Sequence, residues 1–406
     1  MHYQASVDQW RTTIMQHLPQ LSKPQATVLA LWSLEMVLAR SCALTAVSAM
    51  LATVWGRKEA TIRQRLREWY YDAPAKRGTA RRALQVETCF APLLEWIVGW
   101  WQGTQLAVAL DATTLGACFV VLAISVVYRG CAIPVAWVIL PASQKHAWRG
   151  EWLRLLRRLW RVVPRHWTVI VLADRGLYAP WLFRRIVKLG WHPFLRINTG
   201  GTFRPAGTHG FRPLTTFVPQ PGTRWQGRGT AFARKPRCLE CTLLACWEEG
   251  YKDPWLILTD LAPEASDAGW YGMRAWIEQG FKLTKRAGWQ WHRTRMTDPA
   301  RAARLWLAVA VATLWLVSIG GVVDATIPEG TWPDVPARCP GYRRPRRATR
   351  WRLVSVFRRG WLTLVGALFR HDPLPEGRFL PEPWPAILGQ GEDVPPEEEQ
   401  VLPHAA

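Results

Sequence analysis

Three apolar runs follow one another at residues 106–110, 116–128 and 131–140, and this feature most narrows what the chain can fold into. They are rich in Val and Ile, whose branched side chains favour extended backbone, and the last two are separated by Arg129-Gly130, a two-residue turn. The three read as an antiparallel meander. A basic amphipathic helix over 148–163, a buried strand over 167–173, a helix over 178–189 and a short strand over 192–197 follow. The resulting order, β-β-β-α-β-α-β, predicts an α/β fold with a mixed sheet flanked by helices. The first strand ends at Asp111 and the fourth at Asp174. Strand ends are where such sheets build sites, although either Asp alone serves equally well to cap a turn.

The flanks differ in kind. Residues 1–104 read as an all-α domain, with helices over 24–40, 43–54 and 59–70. The last two are joined by Trp55-Gly56-Arg57-Lys58, and the second is basic, with Ile62, Leu66 and Trp69 on one face. A tight Gly turn before a basic helix is the outline of a helix-turn-helix, and of many plain three-helix bundles too. A basic connector over 73–82 and a helix to about residue 101 complete this region. Within a catalytic domain over 105–325, residues 200–251 turn rich in Gly, Pro and Thr, with short apolar runs at 211–218 and 238–247, and read as a β-rich insertion. A strand over 255–259 resumes the pattern. The uncharged run 305–323 is long enough to span a membrane, but a buried helix of a large core fits an Arg-rich chain better. Residues 326–406 read as a basic Pro/Arg-rich region. It holds a cluster of Arg343, Arg344, Arg346, Arg347, Arg350 and Arg352, a helix over 353–369, and a flexible Pro-rich tail from His371 ending in the acidic run Glu397-Glu398-Glu399.

Charge narrows the partner. Lys and Arg number 52 against 30 Asp and Glu, a formal net charge of +22. Excess of this size points to a polyanion, nucleic acid first, although a GC-rich coding sequence also inflates Arg. Of the eight Cys, Cys238 and Cys241 form a CxxC with no second ligand pair behind it, so reduced thiols are expected rather than zinc. The N-terminus MHYQASVDQW carries no signal pattern, and a cytoplasmic, nucleoid-associated location is expected.

The sharpest motif is YGMRAWIEQGFKLTK. On an α-helix turning about 100° per residue, Tyr271, Arg274, Glu278 and Lys285 would fall within a sector of roughly 60°. A salt-bridged surface helix with Arg274 and Glu278 as an i,i+4 pair explains the helix by itself. The two strand-end Asp change the balance. The strand order outlines an RNase H-like fold, in which the first and fourth strands are neighbours, so Asp111 and Asp174 would sit side by side with Glu278 laid across them. Three such carboxylates repel and call for a counter-charge. Hard oxygen ligands without paired His suit Mg²⁺ or Mn²⁺. Two such ions about 3.5–4 Å apart can activate a water or hydroxyl and stabilise the leaving oxygen of a phosphodiester.

The chain resembles DDE transposases of the insertion-sequence-4 family, which carry Tyr-(2)-Arg-(3)-Glu-(6)-Lys around the catalytic Glu. Tyr271, Arg274, Glu278 and Lys285 match at every spacing, and Asp111 in ALDATTLG and Asp174 in LADRGLY match the contexts of the two Asp. The resemblance covers roughly residues 20–325, insertion included. It implies that Asp111, Asp174 and Glu278 are the catalytic metal ligands and that Tyr271, Arg274 and Lys285 bind DNA phosphates, with Arg175 and Lys282 as further candidate contacts. In some members a Trp of the insertion stabilises a flipped base; Trp225 and Trp247 are the candidates here. The implied partners are double-stranded DNA, as inverted-repeat ends and as target, and a second copy of the chain in a synaptic complex. The rival readings are an RNase H-like nuclease without strand transfer, a DNA-binding protein whose catalysis has decayed and, distantly, a membrane protein.

Overall fold

The structure is a computed structural model that describes residues 2–77, 82–144, 148–327 and 354–385. The Arg343–Arg352 cluster and the acidic run at 397–399 lie outside the described residues, as does the end of the 73–82 connector.

Helices α1 (His2–His17), α2 (Lys23–Ala39), α3 (Leu44–Trp55), α4 (Glu59–Tyr70) and α5 (Phe90–Gly99) come first. α2 starts with Ser22 and Gln25 satisfying each other's backbone N–H groups, a capping box. α3 ends on Gly56 at φ 59°, a left-handed cap that β-carbon-bearing residues resist, and the chain turns there into α4. Strands β1 (Gln105–Leu115), β2 (Phe119–Tyr128) and β3 (Cys131–Pro141) form the expected meander. The β2–β3 turn has positive φ at both Arg129 (46°) and Gly130 (82°), the backbone that a tight hairpin twist requires. α6 (Arg149–Arg158), β4 (Thr168–Ala173), α7 (Pro180–Lys188) and β5 (His192–Arg196) follow. Then come β6 (Thr202–Pro205), β7 (Arg212–Pro213), β8 (Arg224–Ala231), β9 (Leu239–Cys246) and β10 (Trp255–Thr259). α8 (Ala275–Lys282), α9 (Pro299–Ala325) and α10 (Val356–Arg370) close the described chain.

One ten-stranded sheet runs in the order β3-β2-β1-β4-β5-β10-β9-β8-β6-β7. β1, β4 and β5 are parallel neighbours and the remaining pairs are antiparallel, so the sheet is mixed and RNase H-like. β1 and β4 are adjacent, as the sequence implied. One detail differs from expectation. β1 does not stop at Asp111 but runs on to Leu115 against β2, because the following Thr113 and Thr114 are themselves good strand formers. The strands of residues 200–251, read as an insertion within this domain, join the same sheet: β9 pairs β10 and β8 pairs β9.

The core is continuous from the N-terminal helices to the sheet. α9 is its spine, packed against α2, α4, α10 and β3. It is apolar and long enough to cross a membrane, yet 89% of that apolar window is buried inside the fold. Trp10 stacks on Trp315 with ring centroids 3.8 Å apart, Trp289 donates to Thr313 and Trp291 meets Trp306, so much of the tryptophan content is core. α10 crosses α9 at Gly320 and Gly360, where a β-carbon on either glycine would strike the opposite helix's carbonyl.

The tail from His371 is a correction. Through residue 385 it is packed rather than loose, because its apolar side chains find partners distant in sequence. Phe379 exchanges backbone hydrogen bonds with Trp100 and Gln102, at 2.9 Å each, beside Trp101. Leu380 donates its N–H to the Tyr128 hydroxyl and accepts from Arg129 Nε at 2.7 Å. Beneath it Arg129 donates to Asp324 at 2.7 Å, with Arg359 Nε at 3.4 Å from the same carboxylate.

Candidate active site

Register alone brings the two aspartates together. The last paired residues of β1 and β4 are Leu110 and Ala173, so Asp111 and Asp174 occupy the next position on adjacent parallel strands. Each is held the same way. Asp111 Oδ1 accepts from the Ala112 N–H at 2.8 Å, and Asp174 Oδ1 accepts from the Arg175 N–H at 2.6 Å. Each therefore keeps Oδ2 for something else.

That something is one guanidinium. Arg274 Nη2 donates to Asp111 Oδ2 at 2.9 Å and stands 3.7 Å from Asp174 Oδ2, while its Nη1 donates to Glu278 Oε1. Asp111, Asp174 and Glu278 come from two strands and one helix, and they meet on a single cation. Asp111 is 16% exposed at its side chain and Glu278 48%, so the cluster opens on the Glu278 side. Burial raises the Asp111 carboxyl pKa against the opposing pull of Arg274, and Glu278 and Asp174 push it the same way as burial. Burial alone would lower the Arg274 pKa, but Asp111 and the other surrounding acids raise it, so the guanidinium stays charged.

The segment that delivers Arg274 and Glu278 is not the single α-helix that the spacing predicts. Residues Ala268–Arg274 form a 3₁₀ turn, α8 follows, and Leu283–Ala287 widen into a π turn. Tyr271 is buried, 4% exposed, and meets Trp255 edge-on at 5.1 Å. Its hydroxyl pKa is pushed up by burial, with Asp174 adding to the effect. α8 lies across β1, β2 and β3, and Gly280 permits this because a β-carbon there would come within 3.0 Å of the Ala132 side chain.

Lys285 reaches back to β1 and donates to the Thr113 hydroxyl at 2.7 Å. Burial lowers its pKa and Asp111 opposes that. Thr113 is a site residue that the motif did not reveal. The signal was available in the strand period, since residues 111 and 113 share a face. Of the further candidates, Arg175 is half exposed and lies 3.5 Å from Asp253, and Lys282 is exposed. Trp225 packs against Phe203 and Phe217, and Trp247 donates to the Tyr251 carbonyl.

The donor set is all carboxylate oxygen, without His or Cys, and it already converges on a cation. That chemistry fits hard divalent ions. Among the described residues no group of three His, Cys, Asp or Glu is gathered tightly enough to hold one metal ion, because Arg274 stands between the three carboxylates.

The family model of the transposase DDE domain matches residues 103–315, a span that takes in β1, β4 and α8 and so all three carboxylates. No curated protein matches the chain. Transposases of this kind act on DNA and use divalent metal ions. The match covers more than half of the sequence, and the chain belongs to the DDE transposase family.

Proposed function

We propose that this transposase is of the insertion-sequence-4 type, and that Asp111, Asp174 and Glu278 are its catalytic metal ligands. The single observation that carries the reading is the register of β1 and β4, which sets the two aspartates side by side under the segment bearing Glu278. Two Mg²⁺ or Mn²⁺ ions, when bound, would activate a water and stabilise the departing oxygen of the scissile phosphodiester. The chain's own part is positional. The Ala112 and Arg175 N–H groups fix the two carboxylates so that each presents one oxygen outward. Lys285, braced on Thr113, offers a cation beside Asp111 for a backbone phosphate. Arg274 supplies a planar fork suited to the same phosphate or its neighbour. Tyr271, buried behind Arg274, braces the turn that carries it.

Around this centre we assign the helices of residues 1–104 to binding the inverted-repeat ends, with α3 and α4 as the helix-turn-helix. The chemistry then falls to 105–325, including the strands of 200–251, and residues 326–406 flank it with further positive charge. The freed 3′ hydroxyl would attack target DNA, and action at two ends calls for a dimer in the synaptic complex. The test is a gel assay of Mg²⁺-dependent cleavage and joining, using DNA that carries the element's ends. Asp111→Asn, Asp174→Asn and Glu278→Gln should each abolish cleavage while end binding persists. Full cleavage by any one of them would overturn the site, and cleavage without joining would mark a nuclease instead.

A further inference from the structure

We propose that the carboxylate cluster has two alternative occupants, the Arg274 guanidinium and divalent metal ions, and that a DNA phosphate exchanges one for the other. The proposal rests on the assignment of Asp111, Asp174 and Glu278 as metal ligands. Metal binding and DNA binding are then coupled through one side chain.

The geometry makes the two occupants exclusive. Asp111 and Asp174 each commit Oδ1 to the backbone N–H that follows, so Oδ2 is the oxygen each has to offer. Both Oδ2 atoms face Arg274 Nη2, and Glu278 Oε1 faces Nη1. A hard dication at this centre needs those same oxygens, and a guanidinium among them would repel it. The cluster also carries more negative than positive charge. Three carboxylates meet one guanidinium, with Lys285 turned toward Thr113, so the arginine neutralises the site only in part.

The present contacts leave Arg274 incompletely satisfied. Its Nε–H is buried with no hydrogen-bond partner among the described residues. A phosphate accepts two parallel bonds from the edge of a guanidinium that includes Nε, so moving to a phosphate would satisfy a donor that the carboxylates leave unmet. Arg274 is also the last residue of the 3₁₀ turn, at the junction with α8. Its long side chain can swing toward the open Glu278 side without moving the backbone that carries Glu278. Lys285 stays on β1 and keeps a positive charge near Asp111 meanwhile.

Linkage makes this measurable, because a ligand that draws Arg274 away must tighten metal binding by the factor by which metal tightens that ligand. The experiment titrates Mn²⁺ against the full-length protein by electron paramagnetic resonance of the free ion. It is run with and without a short blunt DNA duplex, and the duplex's own Mn²⁺ uptake is subtracted. Wild type should bind Mn²⁺ about tenfold more tightly with the duplex than without it. Arg274→Gln should bind tightly without DNA and lose most of the duplex effect. Arg274→Lys keeps the charge but cannot span three carboxylates, and it should also tighten Mn²⁺ binding without DNA. A duplex effect that persists undiminished in Arg274→Gln, or an Arg274→Lys protein that matches wild type, would overturn the exchange. If the variants fail to fold, an absent duplex effect in wild type overturns it equally. Asp174→Asn separates the two levels. Mn²⁺ binding unchanged by that substitution defeats the ligand assignment itself. Binding lost in Asp174→Asn but indifferent to Arg274 defeats the exchange alone.

Discussion

Two of the places where acids meet arginines in this fold are built to opposite ends. Beside the neighbouring strands β1 and β4, three carboxylates share Arg274, and Glu278 is about half exposed. Beneath the C-terminal segment, Asp324 is 1% exposed and is approached by both Arg129 and Arg359. The first cluster has acid in excess and an open side, so its charge is left for a ligand to complete. The second is closed, its acid is matched by arginine, and it ties β2–β3, α9, α10 and the chain around Leu380 into one unit. Stoichiometry and access are what separate the two clusters.

Substitution should divide the two clusters cleanly. Asp174→Asn is expected to cost at least about a thousandfold in metal-dependent cleavage, about 4 kcal/mol of barrier, while its denaturation midpoint stays near wild type. A strongly lowered midpoint would place Asp174 with the structural cluster. Asp324→Ala should do the reverse. Leaving Arg129 buried without its partner should lower stability by about 3–5 kcal/mol in urea titration, and a loss below about 1 kcal/mol would show the pair to be dispensable.

Glu35 extends the comparison to an acid without any arginine. It is fully buried in α2, neither carboxylate oxygen has a partner among the described residues, and burial raises its pKa from 4.5 to about 8. The folded state therefore holds a proton that the unfolded state releases above pH 4.5, so stability is full below that value and falls as pH rises toward 8. Glu35→Gln removes this dependence and should stabilise the protein by roughly 3 kcal/mol at pH 7, with the gain shrinking toward nothing near pH 4.5. Melting curves across that range check it, and a pH-independent difference between the two proteins would refute the shift. The smallest expected effect is at the open cluster's second cation. Lys285→Ala should weaken duplex binding roughly tenfold and reduce the slope of log affinity against log salt by about 1. An unchanged slope would remove Lys285 from the phosphate contacts.

The parts of this arrangement legible in the sequence were those written locally. Apolar runs bounded by turns marked β1 to β5, and the positions of Asp111 and Asp174 after them followed from strand order. Features that depend on partners distant in sequence were not legible. Nothing in 371–385 announces that Phe379 and Leu380 would find Trp100, Tyr128 and Arg129, so proline content suggested a loose tail. The strands of 200–251 were legible as a β-rich insertion within the catalytic domain, but the pairing of β9 with β10 shows only in three dimensions. The motif around Glu278 singled out candidate residues but assumed one helical period throughout. The segment instead changes from 3₁₀ to α to π, and Tyr271 is buried in it.

The glycine crossing of α9 and α10 bears on the order in which the molecule can be completed. A ribosome delivers Asp111, Asp174 and Glu278 well before Val356–Arg370, yet the groove along α9 at Gly320 is shaped for a backbone that has not yet emerged. Until α10 arrives, Asp324 lacks Arg359, and until Leu380 follows, Tyr128 and Arg129 lack their carbonyl partner. The nascent chain thus carries every residue of the carboxylate site on a scaffold whose far side is still open, and synthesis of the last described segments is what closes it.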